Sequence, residues 1–242
     1  SFQKWWIAIR PRTLPAAGSP VLIGWAIAWV TGAYRLLPAL VILVCALFLQ
    51  MLANLVNDVA DFQKGTDKSG RLGPTRVTQS GLLSIRQVWI GAAVVALLAA
   101  VGGAYLAVYR GWLVLVMGGL ALLFAVLYTV GPFSLEDYGL GDLAAFIFFG
   151  FVTVCGGTYI LLGFLVPVAW MGGLGAGALV TAILVVNNVR DIASDTAAGR
   201  KNIPVVWGRK AGEWEYIVMM FLAYLACMLS YFLNWSGWPI LL

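Results

Sequence analysis

The chain alternates between long apolar stretches and short polar ones. Seven stretches, at roughly 14–31, 37–56, 88–108, 112–130, 143–164, 168–187 and 215–234, are nearly free of charge. About 20 apolar residues carry a helix across the hydrocarbon core of a bilayer, so each stretch is expected to span it. Trp235 to Leu242 reads as the start of an eighth. Pro20, Gly102, Gly103, Gly156, Gly157, Gly172 and Gly173 fall inside these stretches, where small residues let helices approach closely in lipid. The pattern predicts an all-α, polytopic transmembrane bundle forming a single domain over residues 1–242.

Composition narrows this further. The chain is 62% hydrophobic and 10% charged, with a mean hydropathy of +0.93. Soluble domains carry about 25% charged residues, which excludes that class. Eleven Trp and nine Tyr suit interfacial belts or packing between helices. Histidine is absent, which removes zinc–histidine sites, histidine acid–base catalysis and histidine-ligated haem. Cys45, Cys155 and Cys227 lie singly inside apolar stretches and read as core. Lys4, Arg10 and Arg12 lead straight into the first stretch, without the pattern of a cleavable signal peptide.

The polar segments are loaded on one side. With the N-terminus inside, all but Arg35 and Arg110 of the 15 Lys and Arg fall in inner segments. The positive-inside rule then puts the N-terminus in the cytoplasm, and the net charge of +5 reports topology rather than nucleic-acid binding. All ten acids fall on that side too, so acids from distant spans face one compartment.

Two of those segments share a frame. Asn57-Asp58-Val59-Ala60-Asp61 closes the second stretch, and Asn187-Asn188-Val189-Arg190-Asp191 closes the sixth, with Asp195 a turn beyond. Spacing of i, i+4, i+8 puts Asn187, Asp191 and Asp195 in one helical stripe. Carboxylates stacked a turn apart repel unless a cation joins them, and acids at a membrane helix end mark a functional site. Lys64, Asp67, Lys68, Arg71 and Arg76 follow the first frame. Oxygen-rich clusters beside bases point to Mg²⁺ bridging a diphosphate.

Asn57 to Gly81 (N-D-V-A-D-F-Q-K-G-T-D-K-S-G-R-L-G-P-T-R-V-T-Q-S-G) and Asn187 to Gly199 (N-N-V-R-D-I-A-S-D-T-A-A-G) resemble the two aspartate-rich motifs of the UbiA-type intramembrane prenyltransferases. Arg10 to Ala17 (R-P-R-T-L-P-A-A), Tyr138 to Asp142 (Y-G-L-G-D) and the spacing of Asp61 to Asp67 resemble the 1,4-dihydroxy-2-naphthoate polyprenyltransferase branch of menaquinone biosynthesis. The resemblance implies Mg²⁺-dependent transfer of a polyprenyl group from its diphosphate to 1,4-dihydroxy-2-naphthoate, with loss of CO₂, in a bacterial inner membrane. It also implies nine spans, against the seven read here, so the last helices are expected to be missing.

Site residues follow from the same likeness. Asn57, Asp61, Asp67, Asn187, Asp191 and Asp195 match metal-binding positions, with Asp58 either a ligand or a support for one. The catalytic carboxylates are Asp61, Asp67, Asp191 and Asp195. Lys64, Arg71 and Arg76 match diphosphate-gripping positions, and Arg190 either joins them or pairs structurally. Arg10 and Tyr138 match positions near the acceptor, Arg10 being equally suited to an interfacial anchor. Where the branch reads G-K-x-T-L, this chain reads G-R-K-N-I, so the basic contact falls on Arg200 or on Lys201. Asp142 reads as a helix N-terminal acid. No general base is apparent. Two rival readings stay open: a prenyltransferase for another aromatic acceptor such as 4-hydroxybenzoate or homogentisate, and a cation-coupled transporter.

Overall fold

A computed structural model describes residues 2–65, 75–131 and 134–235. Among them, every regular element is a helix: α1 (Phe2–Ile9), a 3-10 turn (Pro11–Thr13), α2 (Leu14–Val30), α3 (Leu36–Lys64), α4 (Ile85–Arg110) and α5 (Leu113–Leu127). Then come α6 (Gly141–Ala145), a π-helical segment (Phe146–Val152), α7 (Thr153–Leu162), α8 (Pro167–Arg190), α9 (Ile192–Ala197), α10 (Ile203–Trp207) and α11 (Arg209–Phe232). The expected all-α bundle is the observed fold. Among the described residues, six helical runs are long and apolar enough to cross a membrane: Phe2–Val30, α3, α4, Gly141–Leu162, α8 and α11.

The expected fourth span is shorter than the rest. Its helix, α5, has 15 residues, although backbone bonds from Tyr128 to Phe124 and from Val130 to Val126 carry the helical pattern a little further. At about 1.5 Å per residue it covers less of the bilayer than its neighbours. The fifth span also departs from a plain α-helix, being π-helical in its middle. Gly150 there meets Gly173 and Gly177 of α8 so closely that a Cβ on Gly150 would sit 2.4 Å from the Gly173 carbonyl oxygen. Such contact between small residues is how helices associate where lipid supplies no hydrophobic drive. Of the further span expected to start at Trp235, only Trp235 itself lies among the described residues.

Local signals set the ends. Ser84 and Gln87 form a reciprocal capping box at the start of α4. Arg110, at the opposite end of α4, donates to the carbonyls of Ile160 (2.7 Å) and Leu161 (2.6 Å), closing the C-terminus of α7. All three cysteines are free. The core falls in two apolar clusters. One joins α2, α3 and α7 around Val21, Ala39, Val154 and Leu161. The other joins α3, α4 and α5 around Leu55, Val59, Val88 and Ala125, directly beneath the first polar frame. Large apolar side chains cover the outside, among them Leu97 and Val101 of α4 and Phe221 and Tyr224 of α11. The chain is an integral membrane protein.

Candidate active site

The C-terminal ends of α3 and α8 and the loops beside them form one polar end. Its first half is built on α3. Asn54 donates to the Ile9 carbonyl (2.9 Å) and to Thr13 (2.9 Å), which fastens the N-terminal segment across the helix. Arg10, in a left-handed backbone conformation at φ 50°, lies with Nη2 4.0 Å from Asp58 Oδ2. Asp58 itself is buried and accepts from the backbone N–H groups of Val77 (3.0 Å) and Thr78 (2.9 Å). Those bonds lash the loop after the first frame to α3. Arg76, one residue earlier, is thereby swung onto Asn57 Oδ1 and Asp61 Oδ2 with short contacts.

Both oxygens of Asp58 hold backbone amides, which ties the segment carrying Arg76 to α3. Lys64 is likewise engaged within the protein. It donates to the Thr129 carbonyl (2.8 Å), to Ser134 (3.2 Å) and, closely, to Asp137. Asp67 and Arg71 lie outside the described residues.

The second half is built at the end of α8. The helix pauses at Asp191 (φ −97°, ψ 13°), yet the Asp191-to-Asn187 and Asp195-to-Asp191 backbone bonds, both 2.9 Å, keep the i, i+4 rhythm. α9 then ends in a Schellman turn. Gly199, at φ 74°, donates to Thr196 (3.1 Å), and Arg200 N–H donates to the Asp195 carbonyl (3.0 Å). The turn folds Arg200 back beneath α9 toward Asp195. Asn202 caps α10 by accepting from Val205 N–H (3.1 Å) and donates to Asp195 Oδ2 at 2.8 Å. Arg190 pairs in a bidentate manner with its neighbour Asp191, at 2.8 and 2.6 Å. Asn187 is half-buried in the same stripe. Lys201 is exposed and lies over the Tyr138 ring at 5.7 Å.

The halves meet at Arg200. Its guanidinium reaches Asp61 Oδ1 (2.7 Å), Glu136 Oε1 (2.9 Å) and Asp195 Oδ1 (3.2 Å). Asp61, Asp195, Arg76 and Arg200 are all buried. Burial disfavours the Arg200 charge, but the three carboxylates outweigh it and hold the guanidinium more firmly protonated than usual. Burial pushes the Glu136 carboxyl up to about 7 against the pull of Arg200, helped by the nearby Asp61, Asp137 and Asp195. Asp195 is raised by burial as well. Asp137 is also raised by its partial burial, yet its bonds to Lys64 and Ser134 win and lower it.

Among the described residues, no three acidic or thiol side chains draw together into a ready-made cation cage. The acids meet through guanidinium groups instead. The donor set still suits Mg²⁺, since Asp61 shares Arg76 with the Asn57 amide oxygen and shares Arg200 with Asp195, which puts hard oxygen donors from both motifs beside two adjacent cations.

Sequence reasoning passed over several members. Glu136 reaches Asn57 Nδ2 (3.4 Å), which also donates to Thr129 (3.2 Å). Asn188 donates to both oxygens of Asp142, at 2.9 and 3.3 Å. Asp142 does sit in the first helical turn, as expected, but a side chain 46 residues away fixes it. Beside them opens a small cleft lined by Tyr128, Glu136, Gly139, Gly141, Asp142, Leu184, Asn188 and Asn202.

Residues 17–242 match the UbiA prenyltransferase family. The chain belongs to that family. It is 35% identical over 234 residues to the 1,4-dihydroxy-2-naphthoate octaprenyltransferase of Escherichia coli, covering 93% of this chain and 75% of that one. The enzyme of the same name from Haemophilus influenzae is 31% identical, covering 98% and 80%. That from Mycobacterium tuberculosis is 37% identical, covering 86% and 71%. Among solved structures, a UbiA homolog from Archaeoglobus fulgidus bound to DMAPP and Mg²⁺ shares the fold at a TM-score of 0.74 and 17% identity, covering 98% of this chain and 80% of that one. The protein is therefore a membrane-embedded prenyltransferase, and its two motifs form one end of the bundle.

Proposed function

We propose that this prenyltransferase moves a polyprenyl group from polyprenyl diphosphate onto 1,4-dihydroxy-2-naphthoate, releasing diphosphate and CO₂ and giving demethylmenaquinol. The observation that carries the reading is the convergence of Asn57, Asp61 and Arg76 with Asp195 and Arg200. The names of relatives at 31–37% identity support the naphthoate acceptor. The Archaeoglobus homolog bound to DMAPP and Mg²⁺ supports the donor and the metal.

The residues divide the work by chemistry. Arg76 and Arg200 present planar forks suited to phosphate oxygens. Asn57, Asp61 and Asp195, with Asp67, Asn187 and Asp191 from the same motifs, would hold Mg²⁺, which supplies positive charge opposite the leaving diphosphate. Burial strengthens each of these interactions and keeps water from the allylic cation left when the C–O bond breaks. The acceptor would approach beside the neighbouring small cleft, where Asp142 and Asn188 supply polar groups and Tyr128 an aromatic ring. As the new C–C bond forms on the ring, the bond to the carboxylate breaks and its electron pair restores aromaticity. Loss of CO₂ takes the place of proton loss, so no general base is required. The clustering of basic residues at the site's end supports an orientation with that end and the N-terminus in the cytoplasm of a bacterial inner membrane.

The test is a turnover assay on purified protein in detergent or lipid, with 1,4-dihydroxy-2-naphthoate and polyprenyl diphosphate, in Mg²⁺ or EDTA. Mg²⁺-dependent prenylated product with CO₂ is expected. Product with 4-hydroxybenzoate instead would overturn the acceptor and keep the donor chemistry. Cation flux without product would point to a transporter.

A further inference from the structure

One guanidinium binds carboxylates contributed by three separate parts of the chain. Arg200 touches Asp61 at the end of α3, Glu136 in the loop before α6, and Asp195 in α9. Its Nε is also buried and meets no acceptor among the described residues. A buried donor without a partner is costly and has an evident use when an anion arrives. The Nε edge is one that grips phosphate in a bidentate manner.

We propose that Arg200 is a resident counter-cation that competes with divalent metal for Asp61 and Asp195, and that diphosphate relieves the competition by drawing the guanidinium onto its own oxygens. The inference rests on the diphosphate reading above and adds an order of events to it. Metal alone meets acids that are already neutralised. Metal with diphosphate finds the two oxygens that Arg200 held, Asp61 Oδ1 and Asp195 Oδ1, released by it.

Three features make the exchange possible. Asp61 Oδ1 and Asp195 Oδ1, the oxygens Arg200 uses, are ones a metal would need. Arginine cannot yield by losing its proton, so it must move. It stands directly after Gly199 in the turn that ends α9, a pivot with no side chain at φ 74°. The acids keep their places when it leaves, because Arg76 still holds Asp61 and Asn202 still holds Asp195. A lysine at this position would carry the charge without the fork that spans three carboxylates.

The experiment measures Mn²⁺ affinity by electron paramagnetic resonance on the purified protein in detergent. It compares wild type, Arg200→Gln and Arg200→Lys at equal free Mn²⁺, with and without inorganic pyrophosphate. Wild type is expected to bind Mn²⁺ weakly alone and on the order of tenfold or more tightly with pyrophosphate. Arg200→Gln should bind Mn²⁺ alone on the order of tenfold more tightly than wild type and gain little from pyrophosphate. Arg200→Lys should fall between. A folded Arg200→Gln with affinity for Mn²⁺ alone equal to or below wild type would overturn the proposal and make Arg200 a fixed strut. Should Arg200→Gln not fold, equal affinities of wild type and Arg200→Lys would overturn it equally. No Mn²⁺ binding by wild type even with pyrophosphate would remove the diphosphate reading itself.

Discussion

The two aspartate motifs share a grammar and are wired differently. At the first, Asn57, Asp58 and Asp61 are bound by residues 15 to 20 positions further on, through a loop lashed down by Asp58. At the second, Asp191 is held by its immediate neighbour Arg190, and Asp195 by residues five and seven positions on. The first motif depends on a loop closing correctly, and the second is set by its own local turn. Arg200 crosses between them, reaching Asp61 across 139 residues. A local device is thus used to organise a non-local one.

The difference can be broken first at the shared point. Asp61→Asn removes the carboxylate that both Arg76 and Arg200 bind. It should lower kcat/KM on the order of 10³-fold, the scale of losing a main electrostatic contact in a dry site. A turnover assay beside a check of folding by circular dichroism would show it. Next, the latch can be cut. Asp58→Asn cannot accept from both Val77 and Thr78 N–H, so a buried donor loses its partner at a cost of about 1–3 kcal/mol. Thermal unfolding followed by tryptophan fluorescence should show a lower Tm, and KM for the diphosphate substrate should rise as Arg76 drifts.

The second motif should suffer less from a comparable cut. Asn202→Ala removes a helix cap worth about 1 kcal/mol and one bond to Asp195. The same unfolding measurement should give a smaller fall in Tm than Asp58→Asn gives. The smallest effect concerns pH. The Glu136 carboxyl is held near 7 rather than its ordinary 4.5, so the folded chain keeps a proton that the unfolded chain gives up. The stability this contributes is complete below about 4.5 and is lost as pH rises through about 7. Glu136→Gln should therefore lose less Tm than wild type between about pH 5 and 8.

Much of this was legible in the sequence, for a physical reason. A bilayer punishes exposed backbone and charge so severely that apolar length alone marks the helices, and the bias of charge marks the end where they open. The convergence of Asp61 with Asp195 follows from that topology. What escaped was the wiring. Asp58 was indistinguishable from Asp61 by type, and only the fold shows that backbone amides take both its oxygens. Glu136 and the Asn188–Asp142 pair depend on contacts between elements 46 or more residues apart, which no local spacing encodes. The π-helical segment contains Gly150, whose close meeting with Gly173 and Gly177 is likewise set by a distant partner.

The central claim is that two distant motifs make one diphosphate site. It is tested most directly by calorimetric titration of Mg²⁺ and pyrophosphate into wild type, Asp61→Asn, Asp195→Asn and the double variant. One shared site predicts that either single change removes most of the binding and the second removes little more, a strongly non-additive cycle. Single changes that each remove a separate, additive share would mean two independent sites, and would contradict the account.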